Sequence, residues 1–315
     1  MKSPQRAFLF CSLAATALLG SQLLVPLAQA SKNSSISSLL SKVDKVPFSI
    51  RLEDQFLATL RYLPVNFQRA GSVPSTTTTT TTTLPTTTTT VSSTTSTTST
   101  PSTTTTTTAS STTTTTPTTA PSPIVLQQGA YVWRFSLPSV LKSQWKKGTN
   151  NNVLKGALMR FQSDHGLNWT GAMDTTTWHA LVTAVIKKQY DRTNYSYVVV
   201  NKSLPQSLKL YINGHVFFTA DVNTGISVAP TANGTYPVYA RYTTTTMSGT
   251  EPNGQAYHDT GIPWVSYFHG GDALHGFLRS QYGYPQSLGC VEMTYAHAAI
   301  VWPHTPIGTL VTVQS

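Results

Sequence analysis

From Pro74 to Pro123 the chain is threonine, broken by serine, proline and a few apolar residues. About fifty residues of this kind have nothing to bury, so they cannot offset the entropy of ordering. They are expected to stay disordered or extended. This tract rules out one continuous core for the 315 residues. What remains suffices for a small domain and a second of about 120 residues.

The first thirty residues read as a targeting segment. Lys2 and Arg6 form a positive start, and Ala7 to Leu19 is apolar except for Ser12 and Thr16. Ala28-Gln29-Ala30 offers the small residues of a signal-peptidase site, with Ser31 as the first mature residue. The alternative is an uncleaved anchor, with the apolar stretch reaching about 20 residues across Gly20, Ser21 and Gln22. Pro26 and the small-x-small site favour cleavage. Cys11 follows Phe8-Leu9-Phe10, with no small residue before it, which argues against lipidation. No later segment is long and apolar enough to span a bilayer, so membrane contact is expected only through the signal segment.

The formal charge of +10 is unevenly spread. Residues 31–190 hold fourteen Lys/Arg against five Asp/Glu, net +9, and residues 191–315 hold five against six, net −1. For an exported chain the available polyanions are anionic wall polymers and stem-peptide carboxylates, and a basic front half would be drawn to them. A merely solubilising surface is the plainer alternative. Nucleic acid is a poor partner for an exported chain without a basic cluster.

Removing residues 1–30 leaves Cys290 as the sole cysteine, in Ser287-Leu288-Gly289-Cys290-Val291. A lone thiol in a secreted protein is either an inert buried side chain or a nucleophile. His275, in Leu274-His275-Gly276, stands fifteen residues upstream. The small residue before the cysteine and a histidine able to hold the sulfur as thiolate favour the nucleophile. His258, His269, His297 and His304 lack the spacing of a metal site. No metal or cofactor is expected, and Asp272 and Glu251 show no evident catalytic role.

Periodicity predicts a helical first unit. Val153, Leu154, Ala157, Leu158 and Phe161 recur at helical spacing, and Gly166 stops the helix. Asp174 or Thr175 caps a second helix carrying Trp178, Leu181, Val182 and Val185. Before the tract, Leu52, Phe56, Leu60 and Leu63 form another helical stripe. The second unit reads as β. Tyr197 to Asn201, Ser207 to Ile212 and His215 to Val222 are strands, the last two joined by an Asn213-Gly214 hairpin turn. Gly234 to Tyr242 is a strand with Pro237 at an edge or bulge. Trp264 to Phe268 and Thr309 to Val313 are further strands, and Thr294 to Trp302 a short helix. The pattern fits a β-sandwich-like fold.

Two resemblances follow. Gly156 to Gln162, His165-Gly166-Leu167, Thr170-Gly171 and Asp174 to Leu181 resemble the peptidoglycan-binding type 1 domain over about thirty residues. That family's earlier helix is matched by Leu52 to Leu63, with Arg61 where glycine is usual. The resemblance implies a small all-α domain over residues 31–190 with the tract at 74–123 inserted in it. A stalk with a separate segment 31–73 is the other reading. Asn223-Thr224-Gly225, Pro230-Thr231, Gly234 to Val238, Ile262-Pro263-Trp264, His275-Gly276 and Ser287 to Val291 resemble the L,D-transpeptidase catalytic domain of YkuD type over nearly all of Tyr197 to Val313, which implies a catalytic domain at residues 191–315.

This second resemblance implies chemistry. Cys290 would attack the third-residue carbonyl of a tetrapeptide stem and expel the terminal D-Ala. His275 would be the base, oriented by the Gly276 carbonyl. Gly289 and Cys290 would give oxyanion-hole N–H groups, supported by Ser287. A side-chain amine of a second stem would complete a 3→3 cross-link through a Cys thioester. Tyr257, Trp264 and Tyr267 are candidate substrate platforms. Glu292 stands where the family often has a cation or amide that helps hold substrate carboxylate. The implied partners are peptidoglycan stem peptides and glycan. An L,D-carboxypeptidase with water as acceptor, and a non-catalytic wall-binding glycoprotein with a vestigial thiol, are the alternatives.

Overall fold

A computed structural model describes residues 36–71 and 124–315. The signal segment with Cys11 and the threonine tract lie outside the described residues. The first unit is built on three helices: α1 (Ile50–Thr59), α3 (Asn152–Asp164) and α4 (Thr175–Lys187), with a single turn α2 (Ser139–Lys142) between. Each long helix begins where a side chain takes up a free backbone N–H. Ser49 accepts from Leu52, Asn151 from Leu154 and Asp174 from Thr177. Their apolar stripes meet in one core, where Phe56 stacks on Trp178 at 5.6 Å and the Trp178 indole donates to Val46 O at 2.8 Å. Gln162 is fully buried. Its amide donates to Ala172 O and accepts from Gly171 N, and so ties α3 to the Thr170-Gly171 turn.

One expectation is corrected here: this unit is not all-α. Strand β1 (Val65–Arg69) pairs antiparallel with β2 (Gly129–Trp133), in the register Val65↔Trp133 to Arg69↔Gly129. The chain therefore leaves for the tract and returns from it at the same two-stranded sheet. Gln55 on α1 fastens the returning segment, donating to Val125 O and accepting from Gln127 N.

The second unit is two sheets face to face. One runs β5-β4-β3-β11-β6, from β3 (Ser196–Asn201), β4 (Ser207–Ile212), β5 (His215–Asp221), β6 (Gly234–Pro237) and β11 (Leu310–Gln314). The other runs β10-β9-β8-β7, from β7 (Ala240–Thr250), β8 (Ala256–His269), β9 (Asp272–Gly276) and β10 (Val291–Met293), and carries α5 (Tyr295–Val301). The segment read as one strand from Gly234 to Tyr242 is two. Val238 and Tyr239 carry the chain from the edge of the first sheet to the second. Alternation along β3 explains its unbroken apolar run. Val198 and Val200 face the sandwich core, while Tyr197 and Val199 face the helical unit. The five-stranded sheet is thus covered on both sides. On the helical side, α3 approaches so closely that a Cβ on Gly156 would lie 2.5 Å from Gly308 O.

Candidate active site

β9 and β10 lie side by side and parallel, with Leu274 beside Val291 and His275 beside Glu292. Side chains alternate across a sheet. Leu274, Val291 and Met293 enter the sandwich core, and His275 and Glu292 point the other way. Cys290, two residues before Glu292, joins that outer face and packs with Ile262, Val265 and Ala273. A cavity of about 460 Å³ opens there, lined among others by His275, Cys290, Ser287 and Arg279. The distal part of the β7–β8 hairpin makes its wall, through Glu251, Tyr257 and Asp259.

The histidine is set by its neighbours. His275 Nδ1 lies 3.0 Å from Gly276 O, which assigns the proton to Nδ1 and leaves Nε2 as an acceptor. Burial holds the ring well below the usual histidine range, so it is neutral near pH 7. Gly276 has no room for a side chain, since a Cβ would lie 2.9 Å from Tyr295 and 3.0 Å from Pro263. The cysteine loop is equally constrained. Ser287 Oγ donates to Cys290 O at 2.5 Å and accepts from Gly289 N at 3.2 Å. Gly289 has φ +120°, and a Cβ there would meet Asp272 Oδ1 at 2.4 Å. Asn223-Thr224-Gly225 runs alongside, with Asn223 exchanging both backbone hydrogen bonds with Glu292 and Thr224 O accepting from Ser287 N.

Burial pushes the Cys290 thiol up to about 12, against the lowering effect of the Ala273 N–H, and Asp272 and Glu292 raise it further. The sulfur lies 3.6 Å from Gly271 O, a carbonyl that accepts the S–H. Burial thus works against both the thiolate and the imidazolium. Asp272 and Glu292 oppose a second negative charge at the sulfur.

With that geometry in view, the comparisons fall on the same half of the chain. Residues 195–313 match the L,D-transpeptidase catalytic domain, YkuD. Among solved structures, the chain is similar to an L,D-transpeptidase from Mycobacterium smegmatis, at 19% identity over 40% of this chain and 61% of that one, with a TM-score of 0.36. It is also similar to the catalytic domain of an E. faecium L,D-transpeptidase, at 21% identity over 39% of this chain and 100% of that one, with a TM-score of 0.35. The likeness thus spans less than two thirds of the mycobacterial chain. No curated protein matches the sequence.

Within the YkuD-like domain, the cavity gathers Cys290, His275, Ser287, Tyr257, Tyr267 and Glu292. Two readings need correction. Trp264, expected as a substrate platform, is not among the residues lining the cavity: its ring is tilted against Trp302, centroids 5.4 Å apart, and packs on the sandwich core. The Gly289 N–H, expected to serve an oxyanion, is engaged by Ser287 Oγ at 3.2 Å. The part of Gly289 is to adopt the positive φ that turns the chain over Asp272. Three acidic residues without an expected role, Glu251, Asp259 and Asp272, line the cavity. Arg279 was missed altogether. It donates from Nε and Nη2 to the two oxygens of Glu292, each at 2.8 Å. The signal was Glu292 itself. A carboxylate on a buried strand needs a cation, and residues 191–315 have only Arg192, Lys202, Lys209, Arg241 and Arg279 to supply one.

Proposed function

We propose that the chain is an exported cell-wall enzyme that forms 3–3 peptidoglycan cross-links through an acyl thioester on Cys290. The observation that carries this reading is the placing of His275, on β9, and Cys290, just before the adjacent parallel β10, in one cavity inside the domain that matches the transpeptidase family. Cys290 Sγ attacks the carbonyl of the third stem residue as its proton passes to His275 Nε2. The C–N bond to the terminal residue breaks, and His275 returns the proton to the departing amine. An amine from a second stem then attacks the thioester. His275 takes its proton, and the thiol is regenerated. A thioester keeps the acyl group activated for an amine. The Cys290 N–H serves as the backbone donor to the developing oxyanion.

The helical unit, with net charge +9 over residues 31–190, is proposed to hold the catalytic domain on anionic peptidoglycan. The test is to incubate the purified protein with tetrapeptide muropeptides and analyse the products by mass. Cross-linked dimers are expected. Tripeptides alone would make the enzyme an L,D-carboxypeptidase, and unchanged tetrapeptides would contradict catalysis altogether.

A further inference from the structure

Arg279 is the one Lys or Arg among the described residues lining the cavity, against Glu251, Asp259, Asp272 and Glu292. Its geometry is fixed from three sides. Nε and Nη2 hold Glu292, Nη2 also reaches Gln286 O at 3.3 Å, and the guanidinium lies over the Phe277 ring at 4.6 Å. Glu292 is nearly buried and cannot swing away, with its side chain 5% exposed against 30% for Arg279. One edge of the guanidinium is thus spent inward. The Nη1 group carries two further donors, and among the described residues no hydrogen bond engages them.

We infer that Arg279 receives a carboxylate of the donor stem through Nη1, and that Glu292 is a positioning residue which aims it. This rests on the transpeptidase reading and says which part of the substrate the cavity recognises. A substrate carboxylate at Nη1 lies nearer the guanidinium carbon than Glu292's charge, so attraction outweighs repulsion. Everywhere else the fixed charges of the cavity repel an anion. A carboxylate-bearing stem is therefore held in one orientation. The residue two after Cys290 is acidic here, so the cation reaches the site from the β9–β10 connection instead.

Two sources offer such a carboxylate: the side chain of the third stem residue and the terminus of the fourth. The experiment compares KM and kcat for four synthetic tetrapeptide stems, with each of these groups free or amidated. It uses the wild-type chain and the variants Arg279→Gln and Arg279→Gln/Glu292→Gln. The double variant leaves no uncompensated buried charge, so it guards against simple misfolding. The wild type is expected to show a KM roughly 10- to 100-fold lower for the free carboxylate than for the amide in one of the two arms, the worth of one charge-assisted hydrogen bond. Both variants should bring that ratio close to one. The arm that responds identifies the carboxylate. A wild-type ratio near one in both arms, or a ratio that survives in both variants, would overturn the assignment. If stems acylate Cys290 and the ratio does not move, Arg279's role alone falls. If no stem acylates Cys290, the transpeptidase reading falls with it.

Discussion

At the scale of single residues, burial works against a standing thiolate on Cys290, and the proposed mechanism moves the proton during attack. That distinction can be measured. Alkylation by iodoacetamide follows the thiolate fraction, and the Cys290 thiol is pushed up to about 12 by burial and by Asp272 and Glu292. Alkylation should be slow at pH 8 and climb only in the alkaline range. His275→Gln should leave that profile in place, because the ring is neutral and does not stabilise a resting anion. The same variant should lose acylation by a stem by roughly 10²–10⁴-fold, the usual worth of acid–base help. A profile that shifts upward in His275→Gln would restore the ion-pair picture. The acid limb has a definite sign. The His275 ring is held below its ordinary range by burial, so the base stays neutral through ordinary histidine pH values. Activity should fall only at pH values below that range. That Cys290 and His275 belong to one site was legible because their motifs are local, and both line the cavity. The Arg279–Glu292 pair was not, because it joins residues thirteen apart through a fold not visible in the spacing.

Among the elements, those with a regular period and a cap were readable in advance. Strand β4 occupies Ser207–Ile212 as its alternation implies, and Asp174 caps α4. The β7–β8 hairpin was hard to read for a physical reason. Thr243 to Thr246 show no apolar–polar alternation, and Trp264 sits at φ +58° within β8. The hairpin's shape is set by the cavity it walls rather than by a buried face. The contact of α3 with the second unit yields a prediction against propensity. Alanine in place of a mid-helix glycine ordinarily stabilises by about 0.5–1 kcal/mol. At Gly156 the added Cβ would press on Gly308 O at 2.5 Å and Leu310 at 2.9 Å. Gly156→Ala should therefore destabilise, by about 1–3 kcal/mol as overpacking does, read as a lower thermal midpoint. A raised midpoint would mean the two units are not in close contact. In α1, burial raises Glu53 from 4.5 to about 7, with Asp54 adding to it. The folded state then binds the proton more tightly than the unfolded chain. This stabilisation is complete below pH 4.5 and declines as pH rises towards about 7. Glu53→Gln should flatten the slope of stability against pH in that window, and an unchanged slope would place its origin elsewhere.

At the scale of the whole molecule, the helical unit packs on one face of the five-stranded sheet, and the chain on either side of the threonine tract meets in the β1–β2 pair. Phe56, Leu57, Leu60 and Leu63 are completely buried in the first core. At about 1.5–3 kcal/mol for each such side chain, they supply an amount comparable to the stability of a domain. A chain beginning at Ile124 should therefore unfold at a much lower temperature and bind sacculi poorly. Excising residues 72–123 should leave both properties nearly intact, since loop length costs only about 0.6 kcal/mol per doubling. Equal stability and sacculus binding for the two would return the tract to the role of a stalk. The central claim is the acyl thioester, and intact-protein mass spectrometry after mixing with a tetrapeptide stem tests it most directly. The account predicts a tripeptide acyl adduct on Cys290 with release of the terminal residue. The adduct should discharge when an amine-bearing stem is added and be absent in Cys290→Ala, which should keep its fold because little packing is lost. An adduct that persists in Cys290→Ala, or a wild-type protein left unmodified while the stem keeps its terminal residue, would contradict it.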